Sequence, residues 1–327
     1  MEEKPVNSAT LVKRETNYGS LIARYGIVIS FVLLFVILSV ASQNFLSANN
    51  LLNVLRQVSI NGVLAVGMTF VILTAGIDLS IGSILALAGA VAASLVTGAD
   101  AMNPLFGVAA GLGVGALCGV VNGTVIAHFR VPAFVTTLGM LSVARGATLL
   151  YSGGRPIPNL SAEFRWLGQG LVFGIPVTVI IFAIVFAISA VVLRYSVYGR
   201  RVYAVGGNPR SAKTSGINTS GITFSVYVIM GALAGLAGVM LTARTTSALP
   251  QAGIGYELDA IAAVVIGGTS LTGGVGRIGY TLVGVLIIGM ISNGLDLMGV
   301  SSYYQQIIKG SIIVLAVLID RSRSRGE

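Results

Sequence analysis

The sequence predicts an all-α membrane protein, folded as one helical bundle with about ten transmembrane helices and both termini in the cytoplasm. Apolar residues make up 55% of the 327 residues and charged residues only 9%, and the mean hydropathy is +0.91. A soluble protein of this length could not cover so many apolar side chains with polar surface, so the excess is expected to face lipid. Apolar runs of about 20 residues, the length that crosses about 30 Å of hydrocarbon, recur from Tyr25 onward.

Ten apolar runs, separated by charged or turn-rich segments, mark the predicted spans. They lie near residues 25–42, 57–75, 79–97, 104–127, 132–151, 173–193, 222–243, 257–270, 278–296 and 303–320. Residues 1–24 and 321–327 are predicted to be cytoplasmic tails on one transmembrane domain, residues 25–320. The first run lacks a small-residue cleavage site at its end, so it is expected to be a retained span rather than a cleaved signal.

The distribution of lysine and arginine predicts the orientation. Ten spans put both termini on one side, and placing that side in the cytoplasm leaves fourteen of the twenty basic residues in cytoplasmic segments. The opposite side holds only Arg56, Arg155, Arg165 and Arg244. The net charge of +9 is therefore attributed to membrane topology rather than to a nucleic-acid-binding face.

Glycine spacing in the fourth predicted span indicates close helix packing. Gly107, Gly111, Gly115, Gly119 and Gly123 recur every four residues, so they share one face of a helix. Small residues on one face let a neighbouring backbone approach closely. We expect this helix to be buried among its neighbours, with the glycines serving packing rather than a direct functional role.

Two places in the chain leave open whether a span is broken or re-entrant. Only a turn around residues 76–78 separates the second and third runs, and the eighth run is short and ends in glycines. A faint similarity links residues 71–78 to residues 265–272, each in a predicted cytoplasmic turn. A parallel internal repeat would produce it, and so would the convergence of turns rich in Gly, Ser and Thr.

The motifs of common enzyme classes are absent from the sequence. It contains no Gly-x-x-x-x-Gly-Lys-Ser/Thr loop and no His-Glu-x-x-His, and it has one histidine and one cysteine. His128 beside Arg130 is interpreted as a helix-end residue, and Cys118 as a small packing residue. The sequence therefore predicts no catalytic residue, no metal site and no cofactor bound by this chain.

Polar residues near the span ends are candidates for lining a path or gate through the membrane. They are Asp78, Ser80, Glu257, Asp259, Asn293, Tyr303, Tyr304 and Gln305. Carboxylates are costly inside a bilayer, but near a span end they can stay hydrated or cap a helix. Asp78 either caps the third span or lines a cytoplasmic gate, and Glu257 and Asp259 either make structural hydrogen bonds or line the path. The tyrosines either form an interfacial belt or, with Gln305, offer aromatic faces and hydrogen bonds to a sugar.

Arg145 and Lys309 are the two basic residues at predicted membrane depth. Each needs a partner or a water-filled space. Arg145 is expected to pair with a carboxylate inside the bundle. Lys309 follows two tyrosines and two glutamines, which makes the first half of the last span unusually polar.

The connection 194–221 is the most informative polar segment, because it is too long for a minimal link between two spans. Its pattern predicts an amphipathic stretch, a turn at residues 206–209 and a short helix starting near Pro209, since proline favours the first helical turn. Such a helix suits docking to a cytoplasmic protein, and the alternative is a basic loop that only sets topology. The residues assigned to docking are Gly199, Arg200, Gly206, Gly207, Asn208, Pro209, Ser215 and Gly216.

Several stretches carry a family resemblance over nearly the whole chain. They are residues 65–69 with 76–83, residues 202–208 with 215–217, and residues 255–265, 267–271 and 299–305. In these stretches, among them Gly76-Ile77-Asp78-Leu79-Ser80, the chain resembles the ribose-type permease subunits of ABC sugar importers. The resemblance is specific for the family and much less specific for one sugar.

The resemblance implies a pore subunit in the inner membrane of a bacterium, paired with a second permease copy, identical or closely related. It also implies a cytoplasmic ATPase subunit that binds ATP and Mg, a periplasmic sugar-binding protein, and a coupling helix within residues 199–217. Import would proceed by alternating access. Ribose is the leading substrate, with allose, xylose, galactose or another small polyol-like molecule left open.

An ion-coupled secondary sugar carrier is the rival interpretation. Such a carrier needs no ATPase and would place paired ionisable residues in the middle of its spans. The predicted position of the carboxylates at span ends favours the importer.

Overall fold

The computed structural model describes residues 18–323, and the predictions for residues 1–17 and 324–327 lie outside this part of the chain. Its elements are α1 (Tyr18–Ala41), α2 (Ala48–Leu73), α3 (Ile81–Leu95), α4 (Pro104–Ala127), α5 (Ala133–Ser152), α6 (Ala162–Gln169), β1 (Leu171–Val172), β2 (Ile175–Pro176), α7 (Val177–Tyr195), α8 (Val197–Gly207), α9 (Pro209–Thr214), α10 (Thr219–Thr245), α11 (Tyr256–Ile266), α12 (Ile278–Leu297) and α13 (Ser302–Arg323). Apart from the antiparallel pair β1–β2, all the regular secondary structure in the described residues is helical.

The apolar helices form a membrane bundle. Six of them, α2, α4, α5, α7, α10 and α12, are long and apolar enough to cross a bilayer, and α3 and the segment Gly26–Ala41 of α1 are apolar but shorter. Each predicted apolar run contains a helix, so the all-α membrane bundle is confirmed. The number of ten transmembrane helices and the cytoplasmic position of both termini stay predictions.

Burial divides the bundle into a centre and a lipid-facing layer. The most apolar window of α2 is 83% buried, whereas the corresponding window of α5 is only 17% buried. Large apolar side chains on the outer helices are exposed, including Leu105, Leu117, Leu150 and Ile188. Contiguous apolar surface of this kind is rare on a soluble monomer, so these faces contact lipid.

The glycine face of α4 lies against α10, and the prediction of a buried, closely packed helix is confirmed. Every glycine of the repeat from Gly107 to Gly123 is buried. A Cβ atom on Gly115 would overlap the carbonyl oxygen of Gly231 in α10, and a Cβ on Gly231 would overlap the carbonyl oxygen of Gly115. The two backbones therefore touch, and any side chain at these positions would force the helices apart.

Two helices are too short to cross a bilayer alone, and their first turns meet inside the bundle. Helix α3 has 15 residues and α11 has 11, so α11 is about 16 Å long. A Cβ on Gly82, in the first turn of α3, would overlap the carbonyl oxygen of Gly253 just before α11. The segments 74–80 and 246–255 lead into these helices as non-helical backbone, which a membrane protein tolerates only where it is buried in protein or lines a cavity.

The two turns linked by sequence similarity lie side by side. The N–H of Gly274 donates to the carbonyl oxygen of Leu73 at 3.0 Å. Beside this bond the hydroxyls of Thr69 in α2 and Thr281 in α12 are hydrogen-bonded at 3.2 Å. The end of α2 and the connection after α11 are therefore joined at one end of the bundle.

The opposite end of the bundle is covered by residues 153–176. Backbone bridges join Ile157 to Ala248 and Thr97 to Leu160, and the side chain of Gln169 donates to the carbonyl of Arg244 at 3.0 Å. Apolar runs predict no element here because α6 has only eight residues and is amphipathic.

Candidate functional site

Side-chain caps define two helices in the predicted docking segment. The hydroxyl of Ser196 accepts from the N–H of Gly199 at the start of α8, at 2.9 Å. The side chain of Asn208 accepts from the N–H of Ser211 at 3.0 Å, and Pro209 occupies the first turn of α9. The helix predicted to begin near Pro209 is present. The prediction of a turn at residues 206–209 is wrong for its two glycines, which continue α8 until the extended backbone of Asn208 ends it.

The eight predicted docking residues divide into two sets. Gly199 and Gly206 are buried. The exposed set consists of Arg200, Gly207, Asn208, Pro209, Ser215 and Gly216. One face of the segment therefore packs on the membrane bundle while the other is free to contact a partner.

The buried face of α8 lies on the two joined turns. A Cβ on Gly206 would overlap the carbonyl oxygen of Leu73 and lie 2.6 Å from the nitrogen of Gly274. The hydroxyl of Tyr203 donates to the carbonyl of Gly276 at 3.1 Å. Burial raises the pKa of Tyr203, against the opposing effect of the positive charge of Arg277, so the phenol stays protonated and able to donate.

Asp78 and Ser80 lie in a buried polar cluster at the start of α3. One carboxylate oxygen of Asp78 accepts from the N–H of Ser80 at 2.9 Å and from its hydroxyl at 2.6 Å. The side chain of Asn122 in α4 donates to the same hydroxyl at 3.0 Å. Asp78 thus closes a turn that leads into α3 and does not cap the helix, because its backbone partner is the N-cap residue itself.

The side chain of Asp78 is fully buried, so its carboxylate is not hydrated in this conformation. Within the described chain no donor reaches its second carboxylate oxygen or the amide oxygen of Asn122. The hydroxyl of Tyr227 in α10 donates to the carbonyl of Ile77 at 3.4 Å and closes the cluster from the side of α10. A gate role for Asp78 would require this cluster to open.

Arg145 holds the segment that leads into α11. Its guanidinium donates to the carbonyl oxygens of Pro250 and Ala252 at 2.5 and 3.0 Å. The predicted pairing with a carboxylate is therefore wrong as a direct contact, because backbone carbonyls take these bonds. Glu257, half-buried in the first turn of α11, is near enough to attract Arg145 electrostatically.

Asp259 and Lys309 form an ion pair between α11 and α13. The ammonium of Lys309 lies 2.9 Å from a carboxylate oxygen of Asp259, and the two side chains are 23% and 6% exposed. It is the one ion pair among the side chains that the structure describes. Of the two interpretations of Asp259, the structure contains the structural hydrogen bond, since the buried carboxylate accepts from the ammonium of Lys309. A role in lining the path stays a prediction.

The polar residues at the start of α13 do not share one face. Gln305 is buried and donates to a carboxylate oxygen of Asp296 at 2.7 Å and to the carbonyl of Val300 at 2.9 Å. Tyr303 and Tyr304 are 81% and 65% exposed. In this conformation the tyrosines face away from the bundle, so within one chain they do not line a path together with Gln305.

Asn293 makes a reciprocal amide pair with Asn50. Each side chain donates to the amide oxygen of the other, at 3.0 and 2.8 Å, and the pair joins α12 to α2. The predicted path residues are therefore brought together in three separate places: around Asp78, around the start of α11, and along the contacts of α12 and α13.

Sequence reasoning missed Asn122 and Tyr227, which surround Asp78. Asn122 follows Gly119 of the α4 repeat by three residues, so it lies on the same, buried side of the helix. A polar residue there needs a partner, which is a signal that the sequence does contain. Tyr227 gives no comparable signal because it lies in an ordinary apolar run. Among the described residues, no three His, Cys, Asp or Glu side chains gather as they would around a metal ion.

Comparison with known proteins identifies the chain as similar to permease subunits of transport systems. Residues 50–317 match the family described as the permease component of the branched-chain amino acid transport system. The chain is 51% identical to the ribose import permease protein RbsC of Escherichia coli K12 over 299 residues, which cover 90% of this chain and 92% of the relative. No solved structure matches the chain.

Two further relatives show the same similarity, and one of them names a second sugar. The chain is 47% identical to the ribose import permease protein RbsC of Bacillus subtilis 168 over 314 residues, covering 95% of this chain and 97% of the relative. It is 39% identical to the D-allose transport system permease protein AlsC of Escherichia coli K12 over 325 residues, covering 98% of each. The similarity therefore runs through every element described above.

Proposed function

We infer the function of this chain from the fact that it belongs to the family of ribose-type permease subunits of ABC importers. It is a multi-pass protein of the bacterial inner membrane and the pore subunit of an ATP-driven sugar importer. The observation that carries this conclusion is the similarity to ribose and allose permeases along nearly the whole chain. The apolar bundle and the two-faced α8–α9 segment agree with it.

We propose that α1, α2, α3, α4, α5, α7, α10, α11, α12 and α13 provide the ten membrane segments, with both termini in the cytoplasm. The arginine and lysine distribution supports this orientation. In this arrangement α11 begins inside the membrane after a re-entrant segment, residues 246–255, which the guanidinium of Arg145 secures. The short α3 begins in the same interior region.

We propose that the transported molecule is a monosaccharide, with ribose as the leading candidate. The relatives named above carry ribose and allose in their names, and a further relative, from Azospirillum brasilense, carries L-arabinose. A sugar has no net charge, so the membrane potential cannot drive its uptake, and accumulation needs coupling to ATP or to an ion.

We propose that two permease copies form the pore, each with a cytoplasmic ATPase subunit, and that a periplasmic sugar-binding protein delivers the substrate. ATP and Mg bind to the ATPase subunits and not to this chain. The exposed side of α9 would dock into the ATPase. Closure of the ATPase pair would move α8 together with the joined turns, and the bundle would open toward the loaded binding protein.

One observation favours the rival, an ion-coupled carrier. Asp259 and Lys309 form the kind of buried ionisable pair that such a carrier uses, although the sequence predicted its carboxylates only at span ends. The family relation decides for the importer. In this proposal the pair serves to fix α13 on α11.

The importer and its docking segment are tested together by co-purification. The tagged chain is extracted in mild detergent from its native membrane, and the bound proteins are identified. Asn208→Pro is the test variant. The φ of Asn208 is −156°, which proline cannot adopt, and the substitution also removes the side-chain cap of α9. Asn103→Pro is the matched control, because Asn103 also caps a helix, α4, and also precedes a proline, but has a φ of −54° that suits proline.

We expect an ATPase subunit to co-purify with the wild-type chain and with Asn103→Pro, and to be lost from Asn208→Pro. Uptake of radiolabelled ribose in liposomes should then require the ATPase, the binding protein and ATP. If the purified chain alone accumulates ribose under an ion gradient and binds no ATPase, the importer assignment fails and the secondary carrier replaces it.

A further inference from the structure

A large cavity opens between the end of α7, helix α8, the start of α12 and helix α1. Its volume is about 920 Å³, within the range of about 300–1,000 Å³ that is typical of small-molecule sites. None of the predicted path residues lines it, and of the docking residues only Arg200 does. The cavity is therefore distinct from the polar clusters of the bundle interior.

One part of the cavity wall is positively charged. Arg194 at the end of α7, Arg200 in α8 and Arg277 just before α12 all line it, together with the phenols of Tyr203 and Tyr280. Among the side chains that the structure describes, no aspartate or glutamate lines the cavity and none of the three arginines has an ion pair. Three guanidinium groups from three elements around one cavity repel each other, so the site is complementary to an anion.

The rest of the wall is apolar. Phe186, Ala190 and Leu193 line it from α7, and Val28 from α1. Helix α7 is one of the six membrane-length helices, and its last turn carries Arg194. The charged part of the cavity therefore lies where a membrane helix ends, at the level of lipid headgroups, and the apolar part extends along the same helix toward the hydrocarbon.

We propose that this cavity binds an anionic phospholipid, with its phosphate headgroup on Arg194, Arg200 and Arg277 and an acyl chain along the apolar wall of α7. Arginine suits this headgroup because its planar fork binds phosphate oxygens in pairs. Basic pockets between membrane helices are a known form of lipid recognition. The proposal of a lipid site depends only on the chain being a membrane protein. The proposed orientation would place the site in the cytoplasmic leaflet.

A lipid in this cavity would contact the docking segment directly. Arg200 and Tyr203 belong to α8, and Tyr203 is hydrogen-bonded to Gly276 beside the joined turns. A headgroup that joins α7, α8 and the start of α12 would therefore hold α8 in place on the bundle. We expect the anionic lipid to strengthen the contact between α8 and the turns.

Lipid binding is measured by native mass spectrometry of the purified full-length chain, titrated with dioleoyl phosphatidylglycerol or, for comparison, with phosphatidylcholine, which is zwitterionic and has no net charge. The test variant is Arg194→Gln/Arg200→Gln/Arg277→Gln. Each guanidinium near a headgroup is worth about 1 kcal/mol, or about 5-fold in affinity. The triple variant should therefore bind phosphatidylglycerol about 100-fold more weakly than the wild-type chain.

The matched control is Arg130→Gln/Arg201→Gln/Arg210→Gln, which removes the same charge from exposed positions outside the cavity. This control variant should change the affinity by less than about 3-fold in all, because only general electrostatic attraction is lost. Ala190→Phe keeps all charges and fills the apolar half of the cavity. It should also release the lipid, and it keeps the proposal testable if the triple variant does not fold.

Three results would overturn the lipid site. The first is equal phosphatidylglycerol affinity in the wild-type chain and both cavity variants. The second is displacement of the lipid by millimolar inorganic phosphate, which would make this a site for a free anion. The third is binding only after removal of residues 1–17, which would show that the N-terminal segment occupies the cavity. None of these depends on whether an ATPase co-purifies, so the failure of this site and of the importer assignment are distinguishable.

Discussion

Breaking the ion pair between Asp259 and Lys309 should destabilise the bundle by an amount that depends on which partner is removed. The side chain of Asp259 is 6% exposed, whereas that of Lys309 is 23% exposed. Lys309→Met leaves a buried carboxylate without its partner. Asp259→Asn leaves an ammonium that can extend its stem toward water or headgroups. We therefore expect the lysine substitution to cost more.

The size of the effect follows from two limits. Removing one partner of a buried ion pair costs about 3–5 kcal/mol. An unpaired aspartate can instead take up a proton, which costs about 4 kcal/mol at pH 7 and about 1.5 kcal/mol at pH 5. Lys309→Met should therefore lower the free energy of unfolding by about 3–4 kcal/mol at pH 7 and by less than half of that at pH 5. Asp259→Asn should cost about 1–2 kcal/mol at either pH.

The assay is the unfolding of the detergent-purified chain, followed by circular dichroism at pH 7 and pH 5. The double variant Asp259→Asn/Lys309→Met should be more stable than the sum of the single effects predicts, by about 2 kcal/mol. Lys213→Met, at an exposed position of α9, is the control and should change stability little. Additive single effects, or a cost of Lys309→Met that is the same at both pH values, would refute the reasoning.

Three further predictions concern packing and coupling. Gly115→Leu should prevent the backbones of α4 and α10 from touching and lower the free energy of unfolding in detergent by more than about 3 kcal/mol. Gly113→Leu, on the open face of α4, is the control and should be tolerated in the same assay. Gly206→Ala should uncouple ATPase activity from ribose uptake without loss of the ATPase subunit, because its Cβ would collide with the end of α2. Gly207→Ala is the control and should transport normally, because the nearest atom to its Cβ would lie 4.0 Å away. Asn293→Leu leaves the amide oxygen of Asn50 in α2 without its donor and should cost about 1–3 kcal/mol. Leu at both positions should recover part of the loss in the same unfolding assay.

Local patterns predicted several features of the fold correctly. The start of α9 at Pro209 follows from proline chemistry at a helix terminus, which acts over a few residues. The buried face of α4 follows from a strict four-residue glycine repeat. The identity of its partner could also have been inferred, since Gly231 and Gly235 in α10 form the same small-residue spacing.

Membrane depth could not be predicted in this way. Hydropathy identifies an apolar run by its length, and it treats a residue near the end of a run as near the membrane surface. Asp78 and Asp259 are near the ends of runs but are buried, because α3 and α11 begin inside the bundle instead of at its surface. Their burial is set by contacts with α4 and α13, which are distant in sequence.

The same long-range origin explains Arg145. The sequence indicates a charge that needs a partner but does not distinguish a carboxylate from backbone carbonyls. The carbonyls of Pro250 and Ala252 are available only because the backbone is non-helical there. A partner of this kind is recognisable from the sequence only when the non-helical course of residues 246–255 is already known.

The arrangement of the two short helices gives the docking segment a direct connection to the bundle interior. Residues 74–80 join the end of α2 to α3, and the connection after α11 begins at residue 267; α8 packs on both. The bond from Gly274 to Leu73 ties these connections together, so a displacement of α8 acts on both at once. At their other ends the first turns of α3 and α11 meet at Gly82 and Gly253. In the proposed importer, movement of α8 with the ATPase would therefore change the contact between two helix ends inside the bundle, which is why a methyl group at Gly206 should separate ATP hydrolysis from sugar uptake.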